Sequence, residues 1–137
     1  MREILFRGKG THGHKTGKWV YGNYAKDFWG KDRGGFSILP FGGGCYEVDP
    51  ETIGQFTGLT DKNGTKIFEG DIVKVQDDVF GSPFCNGITG KVVYDEAAFF
   101  IEPKDPMETQ WLFNECAVYE VIGNIHDNPE MLGGEGK

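Results

Sequence analysis

The chain has 137 residues, of which 38% are apolar and 14% aromatic, and it carries a formal net charge of −7. This length is sufficient for one folded domain with a buried core, and the 22 glycines favour short strands joined by tight turns over a helical bundle. The acidic balance excludes a protein that coats nucleic acid with its whole surface, because neutralising phosphates requires net positive charge.

The first 45 residues are predicted to form short strands separated by loose loops. Apolar and aromatic runs predict strands at residues 4–6, 19–24 and 36–39. The connection over residues 8–18 is rich in glycine and lysine and predicts a flexible, basic loop. Pro40 and the glycines at 42–44 end the third strand, because they cannot continue a regular element.

The next segment combines a helical turn with a hairpin. Asp49 is a capping residue and Pro50 suits the first helical position, so a single helical turn is predicted before Gly54 ends it. Asn63 and Gly64 together predict a two-residue hairpin turn, which requires positive φ angles at both residues.

Further runs of β-branched and aromatic residues predict strands at 71–75, 90–94, 99–101, 111–113 and 116–125. Their spacing suits a small, strongly bent antiparallel barrel. Residues 80–90 are predicted to form a long loop within it. Asn128-Pro129-Glu130 can start a last helical turn, and residues 133–137 read as a solvated tail.

Four segments carry a recognisable pattern. They are residues 2–7 with 19–22, residues 48–73 with the motif Asp61-Lys62-Asn63-Gly64, residues 90–95, and residues 119–130 with the motif Gly123-Asn124-Ile125-His126-Asp127-Asn128-Pro129. Together they resemble the YopX family of small phage and prophage proteins. The resemblance extends from residue 2 to about residue 132 and implies a single domain over residues 1–132.

The resemblance implies an SH3-type barrel in the C-terminal part and a phage or prophage setting. It implies no activity and identifies no functional residue. The resulting fold class is mainly β, with an irregular β-rich part at residues 1–45, the barrel at 46–128, at most short helical turns, and a flexible tail at 133–137. The residues expected to fill the barrel are Ile67, Ile72, Val75 and Ile122.

The cysteines and apolar runs favour the cytoplasm of the host bacterial cell. Cys45, Cys85 and Cys116 are odd in number, far apart and without a CxxC pair, which is typical of reduced thiols. No apolar run approaches the roughly 20 residues of a membrane span, and the N-terminus is unlike a signal peptide. Contact with a membrane is therefore not expected.

The glycine and histidine motifs near the N-terminus match parts of cofactor and metal sites but lack the remaining elements of either site. Gly8, Gly10 and Gly13 match the dinucleotide motif GxGxxG, but a strand rather than a helix follows them, which favours a hairpin loop. His12 and His14 would need a third or fourth ligand to hold a metal ion. The sequence therefore predicts neither a cofactor nor a metal site.

The acidic residues are the remaining candidates for catalysis. Glu69 and Asp71 flank a glycine and could act as an acid/base pair, but carboxylates at strand ends more often bond turn amides. Asp61-Lys62-Asn63-Gly64 resembles half a calcium loop, yet Lys66 stands where the sharp turn requires glycine. We predict that the protein is not an enzyme.

The distribution of charge points to a binding surface. Residues 1–33 contain eight Lys/Arg against three Asp/Glu, a net +5, whereas residues 34–137 contain six against eighteen, a net −12. A protein partner or self-association is the first hypothesis, because the two charges are complementary. Single-stranded nucleic-acid binding by the basic, aromatic third is the second. The candidate surface comprises Lys15, Lys18, Trp19, Tyr21, Tyr24, Trp29, Lys31 and Arg33.

Overall fold

The computed structural model describes residues 3–26, 35–77, 88–104, 109–112 and 117–133. This part of the chain is mainly β, as the sequence predicts, and its strands form two antiparallel sheets. The strands are β1 (Phe6–Lys9), β2 (Trp19–Lys26), β3 (Phe36–Leu39), β4 (Tyr46–Val48), β5 (Gly54–Thr60), β6 (Lys66–Phe68), β7 (Asp71–Asp77), β8 (Ile88–Asp95), β9 (Ala98–Pro103), β10 (Gln110–Trp111) and β11 (Ala117–Asn124).

The chain divides into two compact units, residues 1–56 and 57–137. Residues 46–56, which we assigned from sequence to the C-terminal part, lie in the first unit. The reason is strand pairing, since β4 pairs with β3, with Phe36 opposite Val48 and Ile38 opposite Tyr46. The inclusion of residues 1–132 in one domain stays a prediction.

The first sheet has the strand order β4-β3-β2-β1-β5-β6. In the first unit, Val20, Ile38 and Val48 form a buried cluster, against which half-buried Phe6, Phe36, Tyr46 and Ile53 pack. One isolated bridge between Gly10 and Val48 brings the edge strand β4 back towards the residues that follow β1. This arrangement places the connection between β1 and β2 against β4.

That connection is more regular than the loop predicted for residues 8–18. Gly8 and Lys9 belong to β1, which runs from Phe6 to Lys9 rather than over residues 4–6. The Gly10 amide donates to the Lys18 carbonyl at 3.0 Å, and a 3-10 turn spans Gly13–Lys15. Position 10 requires glycine because the backbone of Lys15 passes close to it, and a Cβ on Gly10 would lie 2.4 Å from the Lys15 carbonyl oxygen.

The second unit contains the sheet β10-β9-β8-β7-β11. Ile67, Ile72 and Val75 are buried as predicted. Ile122 is only half-buried, because the register of β11 against β7 shifts between Val121 and Gly123. Within the described residues neither sheet closes on itself, so the SH3-type barrel stays a prediction.

The hairpin between β5 and β6 is confirmed, but the two-residue turn predicted for it is wrong. Gly64 has a φ of 84°, while Asn63 keeps a negative φ. The Asp61 amide donates to the Thr65 carbonyl at 2.8 Å. Three residues, 62–64, therefore lie between the two residues of the last hydrogen-bonded pair of the hairpin. The wider turn forms because the Asp61 side chain bonds the amides of Asn63 and Thr65.

Both predicted helical turns are present. A 3-10 turn spans Pro50–Thr52, and the Asp49 carboxylate accepts from the Glu51 amide at 3.0 Å, as expected of a capping residue. The helix α1 covers Glu130–Gly133. None of the helices in the described ranges has the length and apolar character needed to cross a membrane.

Several predictions fall outside the described residues. They concern most of the loop at 80–90, the residues 113–116 at the junction of two predicted strands, the tail beyond residue 133, and the thiols of Cys85 and Cys116. Cys45 is a free, half-buried thiol.

Candidate functional site: a cation–aromatic surface on β1 and β2

One face of the β1–β2 hairpin carries alternating cations and aromatic rings. The register places Arg7 opposite Tyr21 and Lys9 opposite Trp19. Because side chains alternate along a strand, these four residues share one face. The Arg7 guanidinium carbon lies 4.4 Å from the centre of the Trp19 ring, and the Lys9 Nζ lies 5.6 Å from it. We call Arg7, Lys9, Trp19 and Tyr21 the cation–aromatic ladder.

The four residues differ in accessibility. Arg7 is buried, with 5% of its surface exposed, whereas Tyr21 is 45% exposed. Lys9 and Trp19 are half-buried between these limits. Each cation–ring contact contributes about 0.5–1 kcal/mol at an exposed site and more when it is desolvated. Arg7 is therefore the buried contact of the Trp19 ring. The accessible part of the ladder, which a partner can reach, consists of Lys9, Trp19 and Tyr21.

Tyr24 lies on the opposite face of β2. Its ring stacks on Phe36, with centroids 5.9 Å apart and an interplanar angle of 12°, and it tilts against Phe6 at 5.5 Å. Lys26, two residues further along, places its Nζ 5.9 Å from the Phe36 ring. Tyr24 thus extends the apolar side of the first unit and does not join Trp19 and Tyr21.

Lys15 belongs to a third location, at the turn that precedes β2. Its Nζ lies 5.3 Å from the Tyr46 ring, and the His14 ring meets the same tyrosine edge-on at 6.0 Å. Lys18 is exposed just before β2. The other members of the predicted surface, Trp29, Lys31 and Arg33, lie outside the described residues. Of the predicted surface, the structure therefore brings together Trp19 and Tyr21.

The sequence analysis did not include Arg7, Lys9 or Tyr46 in the candidate surface. Arg7 and Lys9 alternate with Phe6 and Gly8, which is the period of a strand with one charged face. The apolar run at residues 4–6 instead predicts a strand that ends before Arg7. Pairing with Trp19 and Tyr21 also depends on the register of β1 against β2.

Comparison with known proteins identifies the family. The YopX protein family model matches residues 15–133. The chain belongs to the YopX family. It is also similar to the crystal structure of protein EF1440 from Enterococcus faecalis, with 28% sequence identity, a TM-score of 0.53, and coverage of 96% of this chain and 99% of that one. No curated protein matches the chain.

In this YopX chain, Asp61 organises the turn on which part of the resemblance depends. The residue is buried, its Oδ1 accepts from the amides of Asn63 and Thr65 at 2.9 Å, and its Oδ2 accepts from the Val121 amide at 2.9 Å. Burial by itself raises the pKa of the carboxyl, but the three backbone donors and the charge of Lys62 outweigh it and lower the pKa. Asp61 is therefore a charged structural clamp.

Asp71 is likewise committed to the backbone. Its side chain is buried, and Oδ2 accepts from the Phe68 amide at 2.7 Å across the turn between β6 and β7. The prediction that this carboxylate bonds a turn amide is confirmed. The adjacent Gly70 has a φ of 93°, and its amide donates to the Val92 carbonyl at 2.9 Å.

The histidines of the YopX chain contact different neighbours. His12 Nδ1 lies 2.8 Å from the Thr11 hydroxyl and 3.4 Å from a Glu47 carboxylate oxygen. His14 packs on Tyr46 instead. Among the residues that the structure describes, no three potential metal ligands cluster. Nor does a helix long enough to receive a pyrophosphate follow Gly8, Gly10 and Gly13, because β2 is the next strand.

Proposed function

We propose that this YopX protein is a cytoplasmic, non-enzymatic binding module of a phage or prophage, and that it associates with a second copy of itself through the cation–aromatic ladder. The observation that carries the proposal is that two cations contact the Trp19 ring, with the Arg7 guanidinium carbon 4.4 Å and the Lys9 Nζ 5.6 Å from its centre. Such a surface offers an aromatic edge, a phenol and a positive charge.

These features favour a protein partner over single-stranded nucleic acid. A base stacks on an aromatic ring whose face is open. The Trp19 ring carries two cations, and the Tyr24 ring stacks on Phe36. Tyrosine, tryptophan and arginine in a partly desolvated patch are instead the residues that dominate protein interfaces.

The charge distribution supports a second copy as the partner. The ladder lies in the segment with a net charge of +5, and residues 34–137 carry −12. One chain therefore provides both a basic surface and an acidic one. Complementary potentials steer such surfaces together and set their register.

The engagement of the acidic side chains supports a role outside catalysis. Asp61 accepts three backbone hydrogen bonds and Asp71 accepts one from Phe68. Carboxylates held in this way stabilise turns, and a general acid or base instead needs access to a reacting group.

Light scattering across a salt series tests the association. We expect a mass well above the 15.2 kDa of the monomer at low salt, and we expect it to fall as salt screens the contact. Lys9→Glu should lower the mass at low salt, where the wild-type protein associates. Lys26→Glu is the matched control, because it makes the same charge change on the opposite face of β2. A monomeric wild-type protein at low salt and high concentration refutes the proposal.

Nucleic-acid binding is distinguished by a titration with a fluorescent single-stranded oligonucleotide. If the alternative holds, affinity falls steeply as salt rises, and a Lys15→Glu, Lys18→Glu double variant loses it. We expect no such binding at physiological salt.

A further inference from the structure

We infer that the ladder of one copy receives the tip of the β8–β9 hairpin of another copy. This inference rests on the proposed function and adds the element that the ladder contacts. The tip comprises residues 94–99, in which β8 ends at Asp95 and β9 begins at Ala98.

The tip combines an exposed aromatic ring with two available carboxylates. Tyr94 is 54% exposed, and its ring meets Phe99 edge-on at 5.0 Å, which holds it in place. Asp95 and Glu96 are exposed, and in the described part of the chain neither carboxylate forms an ion pair or a hydrogen bond. By contrast, Glu102 on the same hairpin is paired with Lys91 at 3.5 Å.

The backbone of the tip adopts a conformation that its residues do not favour. Glu96 has a φ of 48° and Ala97 a φ of 65°. Two-residue hairpin turns of this type normally use Asn and Gly, and the left-handed conformation costs other residues about 1–2 kcal/mol each. The chain therefore presents a glutamate where asparagine or glycine would be more stable, a pattern that occurs at functional positions.

The tip and the ladder are chemically complementary. The tip offers two carboxylates and a phenol ring, and the ladder offers the ammonium of Lys9 beside the exposed parts of Trp19 and Tyr21. Carboxylates pair with the ammonium, and edge-to-face packing of aromatic rings adds about 0.5–1.5 kcal/mol. Because tip and ladder are different surfaces, each contact joins the tip of one copy to the ladder of another.

A charge exchange tests this pairing. Lys9→Glu and Glu96→Lys should each reduce the scattering mass to that of the monomer, since each places like charges opposite one another. An equimolar mixture of the two variants should regain association. The unchanged tip of the Lys9→Glu variant matches the unchanged ladder of the Glu96→Lys variant, and the two inverted surfaces again carry opposite charges. The Lys9→Glu, Glu96→Lys double variant should also associate with itself. Glu130→Lys, an acidic position elsewhere in the same unit, is the control and should leave the mass unchanged.

The outcomes separate the inference from the proposed function. If Lys9→Glu abolishes association but Glu96→Lys does not, the ladder stands and the tip is the wrong element. If both variants are monomeric and neither the mixture nor the double variant regains association, the tip–ladder pairing is also overturned. A wild-type protein that is monomeric at low salt refutes both. Circular dichroism of every variant establishes that the fold is retained.

Discussion

Replacing Asp61 with asparagine tests the role of its carboxylate as a clamp. The carboxylate accepts from the amides of Asn63 and Thr65 with one oxygen and from the Val121 amide with the other. Asparagine retains one oxygen for the first two amides but turns its NH₂ group towards the Val121 amide. A donor then faces a donor at the edge of β11.

The expected loss of stability follows from these contacts. A hydrogen bond to a charged group contributes about 1.5–3 kcal/mol, and a buried donor left unsatisfied costs about 1–3 kcal/mol. The asparagine variant loses one such bond, and Val121 is only half-buried, so we expect a loss of about 2 kcal/mol. Native domains are stable by only about 5–15 kcal/mol, so urea unfolding resolves this difference easily.

The loss should depend on pH. The pKa of Asp61 in the folded protein lies below its ordinary value of 3.8. The stabilisation is therefore complete above that ordinary value and disappears as the pH falls through the lower, folded pKa. The wild-type protein and the Asp61→Asn variant should differ by about 2 kcal/mol at pH 7 and converge at strongly acidic pH.

Two results would refute this reasoning. One is an Asp61→Asn variant within about 0.5 kcal/mol of the wild-type protein at pH 7, the range of ordinary surface substitutions. The other is a difference that persists unchanged at the lowest pH at which the protein folds. Asp95→Asn makes the same chemical change at an exposed carboxylate and should have almost no effect on stability.

Three further substitutions test packing and backbone geometry, each by thermal or urea unfolding. Gly22→Ala should destabilise the protein by about 1–3 kcal/mol, because the new Cβ would lie 2.2 Å from the Leu39 carbonyl oxygen; an unchanged unfolding midpoint contradicts this. Ala97→Gly should stabilise it by about 0.5–1 kcal/mol by relieving the left-handed backbone, and a destabilised variant would show that strain is absent. Tyr119→Phe should cost about 1 kcal/mol, since the buried hydroxyl donates to the Leu112 carbonyl; a neutral effect argues against that bond.

Local features of the fold were predictable from sequence. The strand at 36–39 was predicted with its observed bounds because Pro40 and the glycines that follow it end any regular element. The Asp49 cap and the turn after it followed from residue types alone. The hairpin at Asn63-Gly64 was found for the same reason, but its turn type was not, because the Asp61 side chain decided it.

The candidate surface was predictable only in part. Trp19 and Tyr21 were identified from composition, and alternation along β2 places them on one face while Tyr24 lies on the other. The cations beside them, Arg7 and Lys9, come from a different strand. Their proximity depends on the register of β1 against β2, which a list of basic and aromatic residues does not contain.

By itself, the sequence determined the mainly β character of this YopX protein, the position of most strands and the separation of charge along the chain. These properties depend on residues that lie within a few positions of one another in the sequence. The local signals are the alternation of apolar and polar side chains, β-branching, and the backbone conformations that proline and glycine allow. The tertiary structure decided which strands pair, where the first unit ends and which side chains meet. Asp61 and Val121 are 60 residues apart, and their bond exists because packing of the apolar core brings β11 to the turn.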